Sequence, residues 1–280
     1  MSNNILYIIV TYKEKYYQCS SYISLIKSFS STKVLNKQLN VFVADNTDIK
    51  NWNCEINTNM GDNLRVYYNK YNNPGLSYAY NAGVEFAKKN GFSWIVLLDQ
   101  DTTLPMNFYD DYNNAIIKEN NVFLKVPITL IGHNKILSPS KYIGYRSYLY
   151  DKIEKGFKKL KGHSFINTGM LINIDFYIKV GGYNEEIKLD FTDHDFVYRC
   201  NKFAERFEVL DIKLNQDFSS LTNTKEQAIK RYYLYLRDLK SFRKGKKNKI
   251  ALFFNSDFLR LLKLSIQYKS LDFIKIRLIK

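Results

Sequence analysis

Two aspartates stand one residue apart in Asp99-Gln100-Asp101, directly after the apolar run Trp94-Ile95-Val96-Leu97-Leu98. Carboxylates are hard oxygen ligands, and Mg²⁺ or Mn²⁺ is commonly held through one or two of them plus substrate phosphates. A strand end is where a nucleotide would meet such a pair, although a solvated strand end has the same residue types. A second constellation follows the turn Gly181-Gly182-Tyr183-Asn184-Glu185-Glu186. It is Asp190-Phe191-Thr192-Asp193-His194-Asp195, with Arg199 beyond. Clustered carboxylates that open a helix can supply a general base, and a helix N-terminus also favours acidic residues for its own stability. His194 has no second histidine at helical spacing and reads as a structural residue.

These groups need a scaffold. Ile5–Val10 and Leu39–Ala44 are short β-branched or apolar runs of the kind found in strands buried on both faces, and Leu64–Tyr68 is a candidate third. Tyr17–Phe29 reads as a helix after the first strand. Asn73-Pro74-Gly75 is turn chemistry ahead of a second helix over Leu76–Lys89, which Gly91 closes. Strands alternating with helices predict an α/β chain with a mostly parallel, Rossmann-like sheet flanked by helices. Ligands of such sheets bind beyond the carboxyl ends of the strands. Thr11-Tyr12-Lys13-Glu14, Asp45-Asn46-Thr47 and Asp99-Gln100-Asp101 all fall at those ends.

A glycine-rich G-x-G-x-x-G after the first strand is absent, as is G-x-x-x-x-G-K-[ST], which argues against a dinucleotide dehydrogenase or a P-loop NTPase. A metal would have to replace the glycine cradle. Net charge is +15 over 280 residues, yet positions 240–280 hold twelve Lys and Arg against Asp257 and Asp272. That concentration predicts two parts: a catalytic domain over 1–240 and a basic, amphipathic C-terminal segment over 241–280. Phe258, Leu261, Leu262 and Ile266 share a helical face there, the pattern of a helix lying on an anionic membrane surface. A helix packed on the domain with lysines facing water would look the same. No nucleic-acid-binding motif accompanies the charge. Cys19, Cys54 and Cys200 are widely spaced, with neither a disulfide framework nor a zinc pattern, which fits a reducing cytoplasm. No stretch is apolar for the roughly 18 residues of a spanning helix, and the start lacks a signal sequence.

Several short segments occur together and in order: Ile9-Val10-Thr11-Tyr12, Val43-Ala44-Asp45-Asn46, Asn73-Pro74-Gly75 with Asn81-Ala82-Gly83, Leu97-Leu98-Asp99-Gln100-Asp101-Thr102, and Gly181-Gly182-Tyr183 with Asp190-Phe191-Thr192-Asp193. In that order they resemble the inverting family 2 glycosyltransferases, most closely the bacterial rhamnosyltransferase-like branch, over residues 5 to 240. The resemblance implies a GT-A fold and a nucleotide-sugar donor, with dTDP-L-rhamnose the first choice and a UDP-hexose such as UDP-galactose or UDP-glucose the alternative. It implies a saccharide acceptor, lipid-linked, in a bacterial surface polysaccharide such as O-antigen or capsule, and so a cytoplasmic place at the inner face of the cell membrane. Thr11, Tyr12 and Asp45 would lie near the base and ribose, with Gly75, Asn81, Asp99 and Gln100 completing the donor site. Asp101, with Asp99, would hold Mg²⁺ or Mn²⁺, and Asp193 would be the base. Asn167-Thr168-Gly169-Met170 would line the acceptor side.

Two departures from the family stand out. Gln216 lies where such enzymes often carry His, and Arg237-Asp238 replaces an Arg-Asn pair. Arg231, Tyr232, Tyr233 and Arg237 are the expected diphosphate contacts, since guanidinium offers paired donors to phosphate oxygens, although a solvated basic helix would carry the same residues. A glycoside hydrolase would instead need two carboxylates flanking the scissile bond, a role open to Asp193 and Asp195. A catalytically dead assembly partner would be expected to have lost Asp101 or Asp193, and both are present.

Overall fold

The computed structural model describes residues 4–34, 37–50, 52, 54, 63–117, 121–132, 134–217 and 224–279. The elements are, in order, β1 (Ile5–Thr11), α1 (Ser20–Ser31), β2 (Leu39–Asp45), β3 (Leu64–Lys70), α2 (Leu76–Lys89), β4 (Trp94–Asp99), β5 (Thr102–Thr103) and α3 (Phe108–Ile117). Then come β6 (Leu124–Ile131), β7 (Lys135–Ser138), β8 (Ser140–Ile143), β9 (Arg146–Tyr148), β10 (Gly156–Lys159), β11 (His163–Ser164), β12 (Leu171–Asn173), α4 (Ile174–Val180), α5 (Thr192–Cys200) and β13 (Arg206–Gln216). The chain continues through α6 (Lys225–Phe242), α7 (Lys249–Leu252), a π-helical stretch over Phe253–Phe258, α8 (Leu259–Gln267) and α9 (Asp272–Ile279).

The main sheet runs β10-β13-β6-β12-β4-β1-β2-β3, with β5 paired to β13 and β7 to β6. Its β4-β1-β2-β3 half is parallel, β13 lies parallel to β6, and β12 runs antiparallel between β6 and β4. The sheet is therefore mixed and mostly parallel, flanked by helices. All seven residues of β1 are buried, because helices cover both faces. Leu6 and Ile8 join the apolar cluster under α2 and α4, while Ile5, Tyr7 and Ile9 face α1 and α3. Alternate residues thus fill opposite cores, which is why the run reads as continuously apolar.

A third cluster joins the C-terminal segment to the rest: Leu252, Leu264, Phe273 and Ile276 pack with Tyr232, Leu236, Leu239 and Phe242 of α6. The compositional change at 240 falls inside α6, whose N-terminus is fixed by a Thr224/Gln227 capping box. Both acidic residues of the segment are neutralised. Asp257 accepts from the Arg243 and Arg277 guanidiniums, and Asp272 pairs with Lys225. Burial would raise the Asp257 carboxyl, and the two arginines more than reverse this, holding it below the usual range.

Candidate active site

Register brings the carboxyl ends of the parallel strands together: Thr11 lies opposite Asp45, and Val10 opposite Asp99. Beyond them opens a cavity of about 700 Å³. Thr11, Tyr12, Gly75, Asp99, Gln100, Asp101, Asp193, Arg231 and Arg237 all line it, although they come from five different segments of the chain. Gln100 Oε1 accepts from the Tyr12 N–H at 2.6 Å, tying the ends of β1 and β4. Gly75 has φ of 119°, and a Cβ there would meet Lys188 at 2.8 Å, so the close approach of the α2 start to the 188–190 loop requires glycine.

Two expected donor residues stand apart from this cavity. Asp45 is fully buried and saturated: it accepts from Thr47 N at 2.9 Å and from Trp52 Nε1 and Tyr68 Oη at 2.7 Å each. Asn81 accepts from Tyr183 N at 2.9 Å and Tyr177 Oη at 2.6 Å, and donates to Tyr183 O at 3.0 Å and Glu185 at 2.8 Å. Its bonds fasten α2 to the Gly182-Tyr183 turn. Tyr232 is buried in the third cluster, and neither it nor Tyr233 lines the cavity. In contrast, Thr11 Oγ1 and Asn46 Oδ1 are buried without a partner among the described residues, and both residues line the cavity.

The carboxylates are electrostatically strained. Burial pushes the Asp99 carboxyl up to about 7, against a Tyr80 hydroxyl that donates to it at 2.7 Å, and the neighbouring charges of Asp101 and Asp193 push the same way. Burial also raises Asp101, and Glu14 is raised by burial and by Asp101. Like charges gathered in a low-dielectric cleft are what a bound cation relieves.

A directed hydrogen-bond chain orients Asp101. Asp99 N donates to Thr168 Oγ1 at 3.2 Å, and the two threonine hydroxyls Thr168 and Thr102 are 2.8 Å apart. Thr102 Oγ1 donates to Gln216 Oε1 at 2.5 Å, and Gln216 Nε2 donates to Asp101 Oδ1 at 2.5 Å. With Thr102 spending its proton on Gln216, Thr168 must donate to Thr102. Gln216 therefore uses its carbonyl internally and holds Asp101 rather than acting as a ligand. Among the described residues no group of three or more His, Cys, Asp or Glu forms a ready metal cage. The donor set fits a cation bound through Asp101, with Asp99 behind it, and completed by substrate phosphate oxygens.

Across the cavity, Phe191 in the left-handed region (φ 68°) turns the chain into α5. Asp193 sits in the first turn of α5, and its Oδ1 accepts from His194 N at 2.7 Å. His194 is held by Ser164 at 2.6 Å and stacks on Tyr142 with ring centroids 4.7 Å apart. Thr192 accepts from Asn167 at 3.1 Å, linking this turn to the 167–170 segment. Asp195 points the other way: it is buried against Lys246 Nζ at 2.6 Å and Arg199 Nε at 2.8 Å. It cannot serve as the second carboxylate of a hydrolase.

A profile described as "Glycosyl transferase family 2" matches residues 8–181, well over half of the chain. The chain belongs to glycosyl transferase family 2. This glycosyltransferase is 24% identical to a protein named "dTDP-rhamnosyl transferase RfbF" from Shigella flexneri, over 222 residues that make up 76% of this chain and 69% of that one. Its fold is similar to S. aureus TarS 1-349, with a TM-score of 0.55 at 15% identity, covering 92% of this chain and 72% of that chain. It is also similar to GalNAc-T7 determined with UDP, GalNAc and Mn²⁺, with a TM-score of 0.55 at 12% identity, covering 95% of this chain and 54% of that chain. The architecture is that of the GT-A glycosyltransferases, and the enzyme uses a nucleotide-sugar donor.

The family match stops before α5 and α6, so the other wall of the glycosyltransferase's cavity rests on geometry. Arg231 forms a two-point ion pair with Asp190, at 2.8 and 2.7 Å. Arg237 contacts Asp238 at 2.9 Å, and the fully buried Asp238 carboxylate accepts the backbone N–H groups of Lys188, Leu189 and Asp190 at 3.2, 2.8 and 2.9 Å. Asp238 thus carries the loop that leads to Asp193. Thr192, from the Asp190-Phe191-Thr192-Asp193 segment, lines the cavity too, as do Lys188, Leu189 and Leu234, whose sequence context carries no mark. They arrive by tertiary approach of α6 and its facing loop.

Proposed function

We propose that this enzyme transfers a sugar, with inversion, from its nucleotide donor to a hydroxyl of a growing, lipid-linked bacterial surface polysaccharide, with dTDP-L-rhamnose the first-choice donor. The observation that carries this reading is the meeting of Asp101, Asp193, Arg231 and Arg237 around one cavity, while Asp195 is locked away from it. The similarity to a named dTDP-rhamnosyl transferase supports the choice of sugar.

Thr11 and Asn46, whose oxygens have no partner among the described residues, receive the base and ribose, and Gly75 lines the same cavity. Arg231 and Arg237, held by Asp190 and Asp238, turn their remaining N–H groups and their charge toward the diphosphate. Asp101, kept in place by Gln216 and backed by Asp99, would hold Mg²⁺ or Mn²⁺, which would supply charge stabilisation at the departing diphosphate. Asp193 takes the proton of the acceptor hydroxyl as it attacks the anomeric carbon, so one displacement gives inverted configuration. His194 donates its backbone N–H to the base and fixes its direction.

We infer that the C-terminal segment holds the enzyme against the inner face of the cell membrane. Among the described residues no helix is long and apolar enough to cross a bilayer. Instead Ile250, Phe254, Phe258, Leu262 and Ile266, spaced by four, form an exposed ridge, with Ile250 at 83% and Ile266 at 67% exposure. Leu252, Asp257 and Leu264 are buried on the opposite side. Apolar ridges flanked by lysine suit an anionic lipid surface. Release of nucleoside diphosphate from a panel of dTDP- and UDP-sugars, with the product anomer read by ¹H NMR, tests the reading. Preference for dTDP-L-rhamnose with inversion supports it, and retention of configuration or the absence of any turnover overturns it.

A further inference from the structure

A second cavity, of about 860 Å³, is larger than the donor site and has Tyr142 in its lining. Lys159, Lys161, Lys202 and Lys247 line it against a single carboxylate, Glu205, and none of the four lysines forms an ion pair among the described residues. Four ammonium groups against one carboxylate leave a surplus that suits a multiply charged anion, whereas a single carboxylate ligand would need only one. The aromatic rings of Tyr142, Tyr145 and Tyr198 supply the apolar wall usual in small-molecule sites.

The C-terminal segment builds this cavity. Asn255 Nδ2 donates to Gly144 O at 2.7 Å, and Ser256 Oγ donates to Tyr145 O at 3.2 Å, pinning the β8–β9 turn that forms one wall. Lys247 and Asn248 form another part, immediately before the exposed ridge that starts at Ile250. At its other end Tyr142 stacks on His194, the neighbour of Asp193, and the Tyr142 hydroxyl is buried without a partner among the described residues. The cavity lining thus includes both the residues that lead into the apolar ridge and the ring that stacks on the neighbour of the base.

We propose that this cavity binds the phosphoryl group through which the acceptor is joined to its lipid, so that the saccharide reaches across Tyr142 to Asp193. The inference rests on the glycosyl-transfer reading for the identity of the acceptor, but the site itself does not. An acceptor held at its phosphoryl end presents only sugars of a suitable distance from the lipid, which gives the enzyme a reason for having a second cavity.

Isothermal titration with geranyl diphosphate, as a soluble prenyl diphosphate, and with inorganic pyrophosphate tests the site without any donor. Wild-type protein is compared with Lys161→Glu/Lys202→Glu, Lys161→Arg/Lys202→Arg and Asp101→Ala, each checked for folding by circular dichroism. The expected result is binding weakened at least tenfold by the glutamate pair and kept by the arginine pair and by Asp101→Ala. Tighter binding of geranyl diphosphate than pyrophosphate identifies a lipid-carried group as the ligand, and equal binding identifies the phosphoryl group alone. Binding that survives the glutamate pair and is lost in Asp101→Ala belongs to the donor site and overturns the proposal, as does the absence of wild-type binding at millimolar probe. If the phosphoryl site behaves as stated while no nucleotide sugar is turned over, the transfer reading falls and the site stands.

Discussion

Asp99→Asn isolates the electrostatic strain that the fold builds into the donor site. The Asp99 carboxyl moves from an ordinary value of 3.8 to about 7, chiefly through burial. Below pH 3.8 it is protonated in both folded and unfolded chains and costs nothing. As pH rises the unfolded chain ionises first, so the folded state loses stability until the folded group also ionises near pH 7, after which the cost is constant. About three pKa units at roughly 1.4 kcal/mol each give a plateau of about 4 kcal/mol. Asparagine keeps an oxygen to accept from Tyr80 and carries no charge, so the variant lacks this term. Urea unfolding of the two proteins from pH 4 to pH 8 should show curves that nearly coincide at pH 4 and diverge by a few kcal/mol at pH 8, with the variant the more stable. Asp99→Asn should nevertheless impair catalysis, because the strained pair is what a cation relieves. A stability difference that does not change with pH, or a variant less stable at pH 8, would refute the assignment of strain to this carboxylate.

Replacing Lys246 by Met removes one of two cations from buried Asp195 and should lower unfolding free energy by about 3 kcal/mol, read by urea denaturation at pH 7. Gln216→Ala frees Asp101 from its orienting amide and should raise the metal concentration needed for half-maximal activity by about 10-fold or more, with little change in the unfolding midpoint. Asp238→Ala strips three backbone N–H groups of their acceptor and should cost several kcal/mol together with a fall in kcat, whereas Asp238→Asn, which retains an acceptor oxygen, should lose less of both. Phe254→Asp with Phe258→Asp should abolish co-sedimentation with vesicles of anionic phospholipid while leaving the melting temperature within a few degrees, because both rings are exposed.

Sequence reading located β1, β2, β4 and α2 to within a residue because elements covered on both sides leave uninterrupted apolar runs, and because Pro74-Gly75 and Gly91 bracket the helix. The strand-end polar residues followed from those assignments, and Asp99, Asp101, Thr11 and Tyr12 do share a cavity. Asp45 shows where that logic runs out: it ends its strand as Thr11 does, but Trp52 and Tyr68 close over its carboxylate, and neither contact is visible in local pattern. Asn81 likewise serves the Gly182-Tyr183 turn. The short strands β8 to β12 are too brief to show a period. The role of Asp238 depends on α6 approaching a loop 48 to 50 residues earlier, a tertiary fact without local signature. The basic segment could be read as packing on the domain or as meeting a membrane, and the packing reading holds for one of its faces. One buries Leu252 and Leu264 against α6, and the other leaves Phe254 and Phe258 exposed.

The most direct test of the central claim is transfer from the preferred nucleotide sugar with Mg²⁺, Mn²⁺ or chelator, measured for wild type, Asp101→Ala and Asp193→Asn. Asp101→Ala should lose metal-dependent turnover and weaken donor binding, and Asp193→Asn should bind the donor with metal as wild type does yet transfer at least about 100-fold more slowly. Turnover that persists in chelator, or an Asp193→Asn variant as fast as wild type, would contradict the account.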